Sequence, residues 1–215
     1  MHYFKYPNEA VVYLKEKDPT LGVAIEKIGP INRPVMPDLF PSLMNSIVGQ
    51  QISTKAHATV WKRITDALGE VTPEKIATAD DNYLQSFGLS FRKVAYMKQA
   101  AESVLNEEIN LAALTSKSDE DVCKELSALP GIGVWTAEML MTFSMNRLNI
   151  LSYGDLAILK GMRMIYRHKK ITKPLFEKYR RRLSPYASVA ALYFWAVSGG
   201  AIPELTDPAV KKSKK

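Results

Sequence analysis

Cysteine is almost missing from this chain. The single Cys123 excludes an internal disulfide, a cysteine zinc cage and a cysteine-ligated iron–sulfur cluster. Histidine is scarce too: His2, His57 and His168 are scattered, so no catalytic metal is expected. No apolar run approaches the roughly twenty residues that a membrane span needs. The opening MHYFKYPNEA lacks the basic-then-apolar layout of a secretory signal, which predicts a cytoplasmic or nuclear setting and no membrane partner. Period-two alternation of apolar and polar residues is nearly absent, so a sheet is not expected. Acidic residues are almost lacking between Lys160 and Arg182, where ten cations (Lys160, Arg163, Arg167, Lys169, Lys170, Lys173, Lys178, Arg180, Arg181, Arg182) face Glu177 alone. Within a net charge of +7, that block suits either a polyanionic partner or a solvated helix face.

What is present is helical periodicity. Apolar residues recur at three and four spacings in 41–48, 55–68, 92–105, 119–128, 134–145, 156–166, 173–183 and 187–198, which predicts an all-α protein. Gly29-Pro30, Arg33-Pro34 and Pro37 end an N-terminal helical segment, and Pro185 is expected to start the last helix. With 215 residues and no low-complexity linker, a single domain of two helical lobes is expected. The central lobe is placed at 41–128 and the second at 1–40 plus 129–205, with 206–215 a disordered basic tail ending in KKSKK. A weak internal echo lays LQSFGLSFRKVAYM (84–97) over SALPGIGVWTAEM (127–139).

One stretch stands apart. In LPGIGVWTAEML (129–140), a helix capped by Ser118 runs into Leu129-Pro130-Gly131-Ile132-Gly133, and a second helix starts at Val134. Ile132 can fold inward to pin the hairpin. Gly131 and Gly133 then remove side chains that would keep another molecule from the peptide N–H groups of Gly133, Val134 and Thr136. Those donors lie at the positive end of a helix dipole, a site the size of one phosphate. An ordinary Pro-Gly turn is the commoner reading of Pro130-Gly131 by itself, but neither glycine is expected to be required merely to connect two helices.

LPGIGVWTAEMLM, followed by an acidic residue in LSYGDLAILKGM, resembles the helix-hairpin-helix DNA base-excision glycosylases, and within them the 3-methyladenine DNA glycosylase II branch. LFPSLMNSIVGQQIS, GLSFRKVAYMK and SPYASVAALYFWAVSGG resemble that branch in the same order. The resemblance implies two helical lobes with a cleft between them, a helix-hairpin-helix followed by a Gly/Pro loop carrying an aspartate, and hydrolysis of the bond between a damaged base and its deoxyribose. It assigns Asp155 as the catalytic carboxylate. Chain length permits this: a helix of about twelve residues from Val134 spans roughly 18 Å, and the nine or so residues from Asn146 can reach back up to about 30 Å. From the residues alone, Asp155 reads equally as the N-cap of the helix it precedes, and the two roles are compatible.

The resemblance also implies the surroundings of that carboxylate. Relatives that cleave the strand carry a lysine where Trp135 stands, so a monofunctional glycosylase without lyase activity is expected. Trp135, Tyr186 and Met139 are its expected base-pocket residues, suited to cationic alkylated purines such as 3-methyladenine and 7-methylguanine; for Trp135 and Met139, core packing is the alternative. Leu183 and Ala187 depart from a Trp and an Arg common in relatives. Gln50, Gln51 and Ser53 fall on a turn that faces DNA in the family, with a residue at the place of Gln51 entering the duplex as a wedge; two exposed loop glutamines are the plainer reading. Arg33, Lys55 and the basic block become candidates for backbone contacts. No cofactor is required, although a monovalent cation at the Leu129 and Ile132 carbonyls is implied by relatives. The expected partner is double-stranded DNA bearing alkylated bases, met by a monomer. A glycosylase for deaminated or oxidised bases, or a DNA-binding module without catalysis, are the alternatives.

Overall fold

Short polar side chains write the helix starts of this chain, and the computed structural model, which describes residues 2–209, shows them in use. After β1 (His2–Tyr3) come α1 (Asn8–Lys17) and α2 (Pro19–Ile28). The carboxylate of Asp18 accepts the Leu21 N–H and Pro19 opens α2, so the expected single N-terminal helical segment is two helices broken at Asp18. Strand β2 (Pro34–Val35) pairs antiparallel with β1. Four residues of strand are too few to show as an alternating pattern in sequence.

From Leu39 the chain is helical again: α3 (Leu39–Gly49), α4 (Thr54–Leu68), α5 (Pro73–Thr78), α6 (Asp81–Ser86), α7 (Phe91–Leu105), α8 (Asp119–Ala128) and α9 (Val134–Phe143). Ser53, Thr72, Asp80, Ser90 and Ser118 each accept a backbone N–H at the start of the helix that follows. The chain closes with α10 (Leu156–Tyr166), α11 (Lys173–Leu183) and α12 (Ala187–Ser198). Tyr186 is the N-cap position of α12, so the last helix starts two residues after the expected Pro185.

The fold is all-α with two helical lobes. Of the described residues, one compact unit gathers those up to Val35 and those from Asn146; the other is Met36–Met145. The division differs from the expected one, which had 36–40 and 129–145 in the second lobe. The reason is packing: α9 folds back on α8 and rests on α3, so the hairpin stays with the central helices. In the terminal unit α10 and α12 form the main contact, with α2 against both. Most of α12 is buried around its whole circumference, from Ala187 to Phe194, as a helix apolar on every face must be. Gly161 makes the α10–α12 approach possible, because a Cβ there would overlap the backbone carbonyl of Phe194.

The expected loose tail is also different where it is described. Arg163 Nε donates to Asp207 at 2.9 Å and Arg167 to the Thr206 carbonyl at 3.1 Å, which ties 206–207 back onto α10 and the residue that follows it. Residues 210–215, with the KKSKK end, lie outside the described residues. Among those described, no helix is long and apolar enough to cross a membrane.

Candidate DNA-binding and catalytic residues

The hairpin is built as expected around Ile132, which is buried, as is Leu129, and whose N–H donates to the Leu129 carbonyl at 3.0 Å. Its two glycines do different work. Gly131 has φ +79°, and a Cβ there would overlap the Tyr96 ring, so the fold itself demands glycine. This corrects the expectation that neither glycine is needed to join the helices. Gly133 has φ −90° and open space around its Cβ position. Nothing among the described residues requires it to be glycine.

Gly133 is also the N-cap of α9, and it supplies no side-chain cap; the first turn of α9 holds no acidic residue. Helix α8 is the contrast, with Ser118 as cap and Asp119, Glu120 and Asp121 in its first turn. The positive end of α9 is therefore left uncompensated by its own sequence and bare of side chain at Gly133. Val134 is 58% and Trp135 49% exposed, so Trp135 is not a core residue. Thr136 and Met139 are half-buried.

The Gln50–Ser53 turn adjoins this hairpin within the same unit. Gln50 Nε2 donates to the Gly131 carbonyl at 2.7 Å, so Gln50 is committed to holding the hairpin. Gln51 is exposed in the left-handed region at φ +55°, and its side-chain oxygen accepts from Arg92 at 3.5 Å. Ser53 caps α4. Lys93 donates to the Val48 carbonyl at 2.8 Å, and burial, with Arg92 beside it, pushes its ammonium pKa below the usual lysine value. Arg92 and Lys93 were missed as individuals in the sequence, although GLSFRKVAYMK contains them.

On the terminal unit, Asp155 caps α10 and is only 7% exposed. One carboxylate oxygen accepts the Ala157 and Ile158 N–H groups, both at 2.9 Å; the other accepts the Trp195 indole N–H at 3.2 Å. Two rigid elements thus orient one carboxyl group, with N–H donors on both oxygens. Trp195 escaped sequence analysis because nothing local in LYFWAVSGG marks an indole as the partner of a residue forty positions earlier. Leu156, next to Asp155, is 80% exposed.

Tyr186 is half-buried, and its hydroxyl donates to Glu9 at 3.0 Å. That bond holds the phenol proton and raises the Tyr186 pKa. The Tyr13 ring stands edge-on to it at 5.4 Å and 74°, while the Tyr13 hydroxyl donates to the Ser184 carbonyl at 2.6 Å. Leu183 and Ala187 are fully buried, so these two departures belong to the core of the unit.

The basic block is only in part a surface. Lys160 binds the Ser198 carbonyl, Arg163 pairs with Asp207, Arg180 with Glu177, and Arg182 with the 1%-exposed Asp18. Lys169, Lys170, Lys173, Lys178 and Arg181 are exposed.

The family model described as "HhH-GPD superfamily base excision DNA repair protein" matches residues 44–185. The chain is 31% identical over 164 residues to DNA-3-methyladenine glycosylase 1 of Schizosaccharomyces pombe, covering 74% of this chain and 72% of that one. Among solved structures, a DNA-3-methyladenine glycosidase from Bacillus halodurans superposes with a TM-score of 0.85 at 33% identity, over 95% of both chains. A 3-methyladenine DNA glycosylase of S. pombe in complex with abasic DNA gives 0.78 at 28% identity, over 89% of this chain and 97% of that one.

Proposed function

Because the chain belongs to the HhH-GPD superfamily of base excision DNA repair proteins, we propose that it is a monofunctional DNA glycosylase that releases alkylated purines from double-stranded DNA. The observation that carries this reading is Asp155: a nearly buried carboxyl group fixed through both oxygens at the start of a helix. Breaking the bond between an alkylated purine and C1′ sends the bonding electrons to the base, which leaves neutral, and builds positive charge on the sugar. A fixed carboxylate stabilises that charge as it develops and orients the water that adds to C1′. The target nucleotide must first leave the stack.

The remaining assignments follow from chemistry. The open N-terminus of α9, with Gly131, Ile132, Gly133, Val134 and Thr136, takes a backbone phosphate. Trp135 and Met139 on the central unit, and Tyr186 on the terminal one, are the groups we assign to the base, whose electron-poor cationic ring stacks on aromatic faces. Gln51 is the wedge; Gln50 supports the hairpin and Ser53 shapes the turn. Trp135 supplies no amine, so no Schiff base forms at that position. The similar proteins of S. pombe and B. halodurans bear 3-methyladenine glycosylase names, which supports alkylated purines over deaminated or oxidised bases.

Incubation with methylated duplex DNA tests the reading. Free 3-methyladenine and heat-labile abasic sites are expected from the native protein, and neither from Asp155→Asn. Duplex binding without release of any alkylated, deaminated or oxidised base would leave a binding module. A complex trapped by borohydride would remove the monofunctional assignment.

A further inference from the structure

The Tyr186 ring is held by a helix the sequence offered no reason to inspect. Glu9 and Tyr13 lie one turn apart on α1, outside residues 44–185 that the family model matches. Tyr13 fixes the turn before Tyr186 through the Ser184 carbonyl and places its ring edge-on to Tyr186. Glu9 accepts the Tyr186 hydroxyl proton in a hydrogen bond, at a position open to solvent.

Two physical effects follow. A phenol that donates to a carboxylate shifts electron density toward its oxygen and ring, which makes the ring face more negative. The Glu9 carboxylate itself adds a full negative charge at the ring's hydroxyl edge. Both attract a cationic base stacked on Tyr186, and neither discriminates in favour of a neutral one. Lys17, on the same helix, stands 5.7 Å from the Tyr13 ring centre, on the second ring of the pair.

We propose that Glu9 and Tyr13 are positioning residues that tune Tyr186 for cationic over neutral bases, Tyr13 by setting the ring and Glu9 by charging its edge. The proposal rests on the glycosylase reading above and names the determinant of its base preference.

Single-turnover excision of 7-methylguanine, a cationic base, and of hypoxanthine, a neutral one, tests it with Glu9→Gln, Tyr13→Phe and Tyr186→Phe. Glu9→Gln keeps a hydrogen-bond acceptor and removes only the charge. The 7-methylguanine rate at subsaturating enzyme should fall about threefold to fivefold, the scale of one exposed cation–ring contact, with the saturating rate retained. Hypoxanthine excision, or affinity for a duplex with an abasic site where that excision is too slow to follow, should not change. Tyr186→Phe, which removes the hydroxyl that Glu9 holds, should lower the 7-methylguanine rate at least as far as Glu9→Gln does, and a thermal melt like that of the native chain guards each variant against misfolding. Tyr13→Phe should lower both excision rates, because it releases the ring itself. An equal loss for both bases in Glu9→Gln, or no loss for either, overturns the proposal. Failure of the native protein to release any base overturns the glycosylase reading instead, and the proposal with it.

Discussion

At the scale of single residues, Asp155 caps α10 and, in the proposed reaction, also carries the chemistry, and substitutions can separate the two tasks. Asparagine is as good an N-cap as aspartate. Asp155→Asn should therefore keep most of the stability while excision falls by about a hundredfold or more, the cost of losing one preorganised electrostatic stabiliser. Asp155→Ala should lose the same activity and about 1 kcal/mol of stability besides. Denaturant melts beside single-turnover rates check both, and an active Asp155→Asn would remove the carboxylate from the chemistry. The hairpin glycines separate in a complementary way. Gly131→Ala must adopt φ +79° and push into the Tyr96 ring, so it should cost about 2–4 kcal/mol. Gly133→Ala meets open space at an ordinary φ, and the lost backbone entropy of the unfolded chain offsets a slightly poorer cap. It should fold as the native chain does yet bind duplex DNA about tenfold more weakly, as a methyl group shields one charge-assisted N–H contact.

Helix pairs set the next level. The contact between α10, which Asp155 caps, and α12, which carries Trp195, is the most extensive in the terminal unit, and a Cβ at Gly161 would overlap the Phe194 carbonyl within it. A methyl group there cannot be absorbed by rotating a side chain, because the obstacle is backbone. Gly161→Ala should destabilise the protein by about 3 kcal/mol and loosen the Trp195–Asp155 bond with it, so that residual folded protein shows reduced excision. A thermal melt close to that of the native chain would show that the two helices separate at little cost. In the central unit, the link from Gln50 to Gly131 makes the 49–53 turn and the hairpin one structural feature. They are far apart in sequence, and their adjacency depends on α9 resting on α3.

For the whole molecule, charge and buried tyrosines govern behaviour in solution. With a net charge of +7 and eight exposed cations in the 160–182 block, DNA affinity should fall steeply as salt rises, because counterions are released from each contacted phosphate. Titration of binding between low and physiological salt checks this; a flat response would exclude the block as the footprint. Stability should fall in alkali. Burial raises the pKa of Tyr166, whose hydroxyl donates to Asp18, and of Tyr179 and Tyr193. These hydroxyls keep their protons in the folded state while the unfolded chain ionises near pH 10. Their contribution is therefore complete below about pH 10 and is lost as pH rises from there through the folded values. Equilibrium unfolding from pH 8 to 11 should show the decline beginning near 10.

The eight helices α3, α4 and α7–α12 and the hairpin were legible in the residues alone, because apolar spacing, short polar caps and Pro-Gly punctuation act within a few positions of the chain; α5 and α6, six residues each, are too short to show a helical period. The same locality made Asp155 recognisable as a cap and, by resemblance, as a carboxylate of interest. Long-range partnership was not legible. Only the folded chain decides that Gly131 serves packing against Tyr96 while Gly133 is open, that three of the block's ten cations are spent on Asp18, Asp207 and a helix-end carbonyl, and that Trp195 holds Asp155 while Glu9 and Tyr13 hold Tyr186 and the turn before it. Sequence encodes what a residue can offer; which neighbour receives the offer is settled by elements that meet across tens to well over a hundred positions of chain.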